Sequence, residues 1–260
     1  DRGAVDDLTP LLSDKNTNVA IAAAHAIGEI GTSEAAKALL LALGKGDAKL
    51  QQEVGFACLM CAKSLAEAKD NTSAVALTTA VRKANLPENI KLAATQRAIV
   101  LQGKAGLGLL AEQLKSDNLQ QFRAGLQAAQ KLGKLSTSTL IDAYPKLPEE
   151  HKALLVAVLG TIHDSSALPT VVKATSGDSQ ELKLQAVFAI GELAPSASDE
   201  QKTQALNQLL ALVKQQDADI AGAAESVIVK LNSSQPSAEI EKQIDASIRK
   251  LLESETRESQ

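Results

Sequence analysis

Cys58-Leu59-Met60-Cys61 has the CxxC spacing of zinc and redox sites. A tetrahedral zinc site needs two further ligands, and the chain has no other cysteine to supply a second pair. The run also falls in the middle of a predicted helix, among Phe56, Leu59 and Met60, and not at a helix N-terminus where a thiolate would be stabilised. Both thiols therefore read as small apolar residues of a helix-pair core. The three histidines, His25, His151 and His163, stand in three separate segments. His25 lies one helical turn before Glu29, which predicts a surface hydrogen-bonded pair. No glycine-rich phosphate loop, GxSxG elbow or HExxH helix occurs. The residues thus predict no catalytic group, no cofactor and no metal, and the chain reads as non-enzymatic in its own right.

Charge gives a second kind of chemistry. Residues 82–134 carry nine cations against Glu88, Glu112 and Asp117, whereas the whole chain is −4 with a pI near 5.5. A basic middle within an acidic chain could hold an acidic or anionic partner, and Arg97, Arg123, Lys131 and Lys91 are its candidate contacts. Solvated charges on unrelated faces would give the same count. Nucleic acid is disfavoured as a partner, because one Tyr, three Phe and no Trp leave few stacking platforms.

The elements that would position these residues are helices. The 260-residue chain is 45% hydrophobic but only 2% aromatic, which favours thin layers of Ala- and Leu-packed helices over one thick core. Residues 26–31 read Ala-Ile-Gly-Glu-Ile-Gly and residues 189–194 read Ala-Ile-Gly-Glu-Leu-Ala. Weaker copies start at 98, 128, 158 and 227, and Cys58 opens the remaining one. This spacing predicts seven helix pairs, over residues 4–31, 32–65, 71–103, 104–133, 134–163, 164–194 and 200–232, as a single domain. Val19, Ala22, Ala23, Ala26, Ile27 and Ile30 follow helical spacing, Ser13–Asn18 is a turn rich in capping residues, and Gly31 suits a left-handed helix end. Recurring Ala with a mid-helix Gly (Gly28, Gly191) predicts close helix contacts. Pro169 is expected in a first turn, while Pro10 is expected to kink its helix. Ala66–Thr72 reads as a loop or an extended helix end, and Pro195–Asp199 as a loop. Ile240, Ile244, Ile248 and Leu251 form one stripe, predicting a capping helix over 237–253 followed by a tail, 254–260. No stretch is long and apolar enough to span a bilayer. The chain opens Asp1-Arg2-Gly3 without an initiator Met, so it reads as an excised or processed product of unassigned compartment.

The runs Val19–Gly31 and Leu182–Ala194 resemble bacterial HEAT-like repeats of the kind first grouped with phycobilin lyases. The resemblance covers residues 4–232. It implies an α-α superhelix of the HEAT/armadillo kind with second helices lining the concave side, and a role in binding or scaffolding proteins. Helical-repeat metalloenzymes such as deoxyhypusine hydroxylase depend on several His-Glu dipeptides. Here the dipeptides are His25-Ala26, His151-Lys152 and His163-Asp164. The Trp and Asn ladders of armadillo importins are missing as well. The expected function is a monomeric, non-catalytic protein-interaction or scaffold module binding a protein partner along its concave face. The alternatives are an accessory domain of a larger enzyme and, more weakly, a bilin-lyase-like enzyme.

Overall fold

The computed structural model describes residues 2–234, so the expected cap over 237–253 and the tail 254–260 lie outside the described residues. Among the described residues the fold is all-α, with fourteen α-helices, six short 3-10 segments and no strand. The chain divides into two compact units, Asp1–Leu132 and Gly133–Gln260.

The first unit holds four helix pairs: α1 (Arg2–Leu8) with α2 (Thr17–Ile30), α3 (Ser33–Ala42) with α4 (Ala48–Glu67), α5 (Asn71–Lys83) with α6 (Glu88–Gln102), and α7 (Leu107–Leu114) with α8 (Leu119–Leu132). The second holds three: α9 (Thr137–Ala143) with α10 (Glu149–Ile162), α11 (Leu168–Ala174) with α12 (Gln180–Leu193), and α13 (Asp199–Val213) with α14 (Ala218–Ser234). Second helices pack side by side in a row in each unit: α2, α4, α6 and α8 in one, α10, α12 and α14 in the other. First helices form a parallel row through α1, α3 and α5, and again through α11 and α13.

Local signals set the boundaries. The Asn16 side chain accepts the Asn18 N–H at 3.0 Å to open α2, and Gly31 closes it with φ 64°, its N–H bonded to the Ile27 carbonyl. Pro10 lacks the N–H that would continue an α-helix. α1 therefore stops at Leu8 and the chain proceeds as a 3-10 turn, Thr9–Ser13, so the expected kink is a complete break. Pro169 lies in the first turn of α11, where the missing donor costs nothing. The long second interval has two causes. α4 runs on to Glu67, and a turn through Lys69, at φ 64°, delivers Asp70 to cap α5. Pro195 lies in a 3-10 turn, after which Ser198 and Gln201 form a reciprocal capping box that opens α13.

The buried arc of α2 is Ala20, Ala23, Ala24, Ile27 and Gly28. The periodicity had placed Val19 and Ala22 on that arc, but both are exposed. The helix is clamped between α4 on one flank and the first pair's 3-10 turn on the other, which rotates its buried face. Small residues then allow close approach. A Cβ added at Gly28 would stand 2.9 Å from the Ala57 carbonyl oxygen, and one at Gly160 would stand 3.0 Å from the Ala189 Cβ. Gly28 and Gly160 hold the third place of their respective blocks, so Ala57 and Ala189 are equivalent. The second repeat's block therefore begins at Ala57, one residue before the Cys58 expected from sequence. Cys58 and Cys61 then occupy the places that Ile27 and Ile30 fill in the first repeat. A continuous core from Val5 to Ala94 links three pairs of the first unit. Fully buried leucines such as Leu39 and Leu77 each contribute about 1.5–3 kcal/mol relative to exposure.

Candidate interaction face

The corrected register puts one residue of every second helix at the same place on its outer side, just before the close-contact Ala. In the first unit these residues are His25, Phe56, Arg97 and Gln127; one turn later come Glu29, Met60, Leu101 and Lys131. All eight are partly or fully exposed. Phe56 is 40% and Met60 37% exposed, although they flank the buried cysteines in sequence. They point away from the helix pair because the thiols occupy the inner arc. In the second unit the matching residues include Phe188, 52% exposed, with Glu192 a turn later, and Ser226 with Lys230. A fixed geometry thus carries a different side chain in each repeat.

Neighbouring second helices are tied across this face by polar contacts. His25 Nε2 lies 2.7 Å from Glu53 Oε2, so His25 pairs with the next second helix and not with Glu29 on its own helix. Register explains the difference: the α2–α4 approach at Gly28 and Ala57 brings Glu53 directly opposite His25. The Arg97 guanidinium on α6 donates to the Leu59 carbonyl on α4. Its half-burial pushes its pKa down, against the opposing pull of the Glu67 carboxylate. Gln96 Nε2 donates to Gln127 Oε1 at 3.1 Å, joining α6 to α8. In the second unit Lys230 Nζ lies 2.7 Å from Glu192 Oε1, while His163 Nδ1 is 3.8 Å from Glu192 Oε2. The hydrogen bond from Lys230 lowers the Glu192 pKa despite some desolvation.

A groove of about 450 Å³ opens on the first unit's face between α4, α6 and α8. Ala66, Ala93, Val100 and Leu101 supply its apolar lining. Lys63, Glu67, Arg97 and Lys131 supply its charges, with Lys63 and Glu67 3.8 Å apart. The basic residues expected from sequence therefore divide. Arg97 and Lys131 share the groove. Arg123 is exposed on α8 in the stripe that continues through Gln127 to Lys131, about 12 Å from Lys131 at the helical rise. Lys91 lies near the start of α6, 3.2 Å from Glu88, and does not line the groove. Arg82 is on a first helix, its Nε donating to Thr95 Oγ1 at 3.2 Å. Phe56, Met60 and Lys63 were missed. Reading the second block from Ala57 would have aligned Phe56 with His25 and Met60 with Glu29, on the outer side.

The thiol and imidazole groups are dispersed. Cys58 and Cys61 are buried, and desolvation pushes their pKa values from 9.0 up to about 12 and about 11 respectively. His151 is buried in the first turn of α10, and His163 forms the left-handed C-cap of that helix. Among the described residues no three His, Cys, Asp or Glu side chains converge as metal ligands would. No described helix is long and apolar enough to cross a membrane.

Rows of paired helices joined by short turns define an α-helical repeat protein of the HEAT/armadillo kind, a fold that in general serves scaffolding and protein interaction. The family profile for HEAT repeats matches residues 1–57, which take in α1, α2, α3 and the first half of α4. No curated protein matches the sequence. Among solved structures, an engineered protein is 17% identical with a TM-score of 0.48, the match covering 94% of this chain and 71% of that one. A designed armadillo repeat protein is 16% identical, TM-score 0.43, covering 88% of this chain and all of that one (100%). Human deoxyhypusine hydroxylase in complex with glycerol is 14% identical, TM-score 0.42, covering 89% and 97%. Likenesses this distant carry no functional argument.

Proposed function

We propose that this chain is a non-catalytic protein-interaction module that holds a protein partner along the outer face of its second helices. The observation that carries the reading is the exposure of Phe56, with Met60 one turn later, on the first unit's second helices, and of Phe188 at the place equivalent to Phe56 in the second unit. Large apolar side chains exposed among charged neighbours suit a protein surface. The first unit's face mixes Glu29 with Arg97 and Lys131, which does not suit a uniform phosphate backbone. In this reading Lys131 and Arg123 contact the partner directly, Arg97 contributes a half-buried charge, and Lys91 stays at the edge with Glu88. The same face would serve whether the module acts alone or beside a catalytic domain of a longer polypeptide.

The test is affinity capture from the source organism's lysate, read by mass spectrometry. Wild-type protein is expected to enrich a partner that both Phe56→Ser and Arg123→Glu weaken, with helical circular dichroism unchanged. Capture unaffected by all three of Phe56→Ser, Arg123→Glu and, in the second unit, Phe188→Ser overturns the reading.

A further inference from the structure

The proposed face has a chemical pattern in the first unit that specifies more than protein in general. Three neighbouring second helices present, in order, an apolar pair on α4 (Phe56 and Met60), a half-buried cation on α6 (Arg97) and an exposed cation on α8 (Lys131). Phe56 and Arg97 hold equivalent repeat positions, so their helices set their separation at about 8–10 Å. Lys131 is a further helix along the row and one turn, about 6 Å, past the place equivalent to Arg97. The groove between these helices has an aliphatic lining, and its one carboxylate, Glu67, is shared between Lys63 and Arg97, against three cations. Lys131 has no ion-pair partner among the described residues. A carboxylate entering from outside would meet unbalanced positive charge beside apolar surface, where water screens it less than in open solvent.

The geometry points to an acidic peptide segment as the occupant, crossing the helix row in extended form with one apolar side chain on Phe56 and Met60 and carboxylates at Arg97 and Lys131. An extended chain of the polyproline-II kind advances about 3.1 Å per residue and turns every third side chain to the same side, so about three residues span one helix-to-helix step. The matching pattern is Phe or Leu, then Glu three residues on, then Glu three residues further. This inference rests on the interaction reading above and adds the chemistry of the partner. The binding charges come from side chains with a fixed spacing, so the site should discriminate position as well as total charge.

The experiment uses the full chain and pools of fluorescent decapeptides. One pool is fixed as Phe/Leu-x-x-Glu-x-x-Glu. Matched pools replace both Glu with Lys, replace Phe/Leu with Ser, or move the two Glu one residue closer together. The expected result is binding of the first pool about tenfold or more tighter than the Lys pool, and measurably tighter than the Ser and shifted pools. Lys131→Glu should abolish the preference for Glu over Lys, and Phe56→Ser the preference for Phe/Leu over Ser, with the melting temperature of both variants held. Both sites face solvent, so loss of folding is not expected to confuse the result; Lys131→Gln, giving a partial loss of charge preference, is the second check. Equal binding of the Glu and Lys pools, preferences that survive both substitutions, or tighter binding of an oligonucleotide than of any peptide pool would overturn it. If the peptides show no preference while lysate capture still depends on Phe188, the groove assignment fails and the interaction reading stands.

Discussion

At the scale of single residues, chemistry and packing diverge most clearly at the cysteines. Their spacing suggests a reactive pair, but they replace two isoleucines of the repeat core and burial holds both thiols protonated. Iodoacetamide is expected to modify neither in the native protein and both after unfolding, as read by intact mass; fast native labelling would contradict the burial. The same shifts have a pH signature. Unfolded thiols ionise near 9.0, whereas the native ones hold their protons to about 11 and about 12. Above pH 9 the unfolded state therefore binds fewer protons, and stability falls as pH rises toward 11. The Cys58→Ala/Cys61→Ala variant should flatten that part of a melting-temperature profile. Glycines provide a second contrast. Gly28→Val drives new atoms against the Ala57 backbone and is expected to cost about 1–3 kcal/mol by overpacking. Gly222 lies inside α14 with open space around its Cβ position, so Gly222→Ala should stabilise by about 0.5–1 kcal/mol. Chemical denaturation of the two variants checks both signs.

At the scale of elements, much was legible because the determining signals are local. Gly31, Pro169 and the capping residues act within one turn, so sequence placed them correctly. The rotation of α2 was not legible, because it depends on which neighbours clamp the helix and not on its own periodicity. The register of the second block was obscured for a related reason: Leu59 stands where the clearer copies have glycine, which blurs the pattern around Ala57. Capping also links elements in a way that sequence does not reveal. Asp47 accepts the Leu50 N–H at 2.8 Å to open α4 and the Thr17 hydroxyl at 3.0 Å from α2. These bonds, led by that from Leu50, lower its pKa. A carboxylate depressed in the native state stabilises it above the unfolded pKa, and that contribution disappears as pH falls through the native value. Asp47→Asn should therefore lower the melting temperature at pH 7 and narrow the gap to wild type below about pH 3. A gap that stays constant down to pH 2 would show that the charge is not responsible.

At the scale of the whole molecule, the fold class was readable because a repeat multiplies a weak signal: seven imperfect copies of one helix pair point to one architecture. The face was only partly readable. Sequence gave prominence to total charge, and so to Arg97, Arg123, Lys131 and Lys91, but the cations of residues 82–134 fall on first helices, second helices and turns alike. Only position within the repeat separates Lys131 and Arg97, which share a groove, from Lys91 and Arg82, which lie outside it. The apolar members were hidden because an exposed Phe and a buried one look the same in composition. Met60 offers the most direct test, being the only methionine of the chain and lying beside Phe56 on the proposed face. Hydroxyl-radical footprinting, with and without the captured partner, can follow oxidation of this one thioether by mass spectrometry. The account predicts that Met60 oxidation slows sharply on partner binding while exposed Leu41, on a first helix, is unaffected. Unchanged oxidation of Met60 in a saturated complex, with protection on the first helices instead, would contradict it.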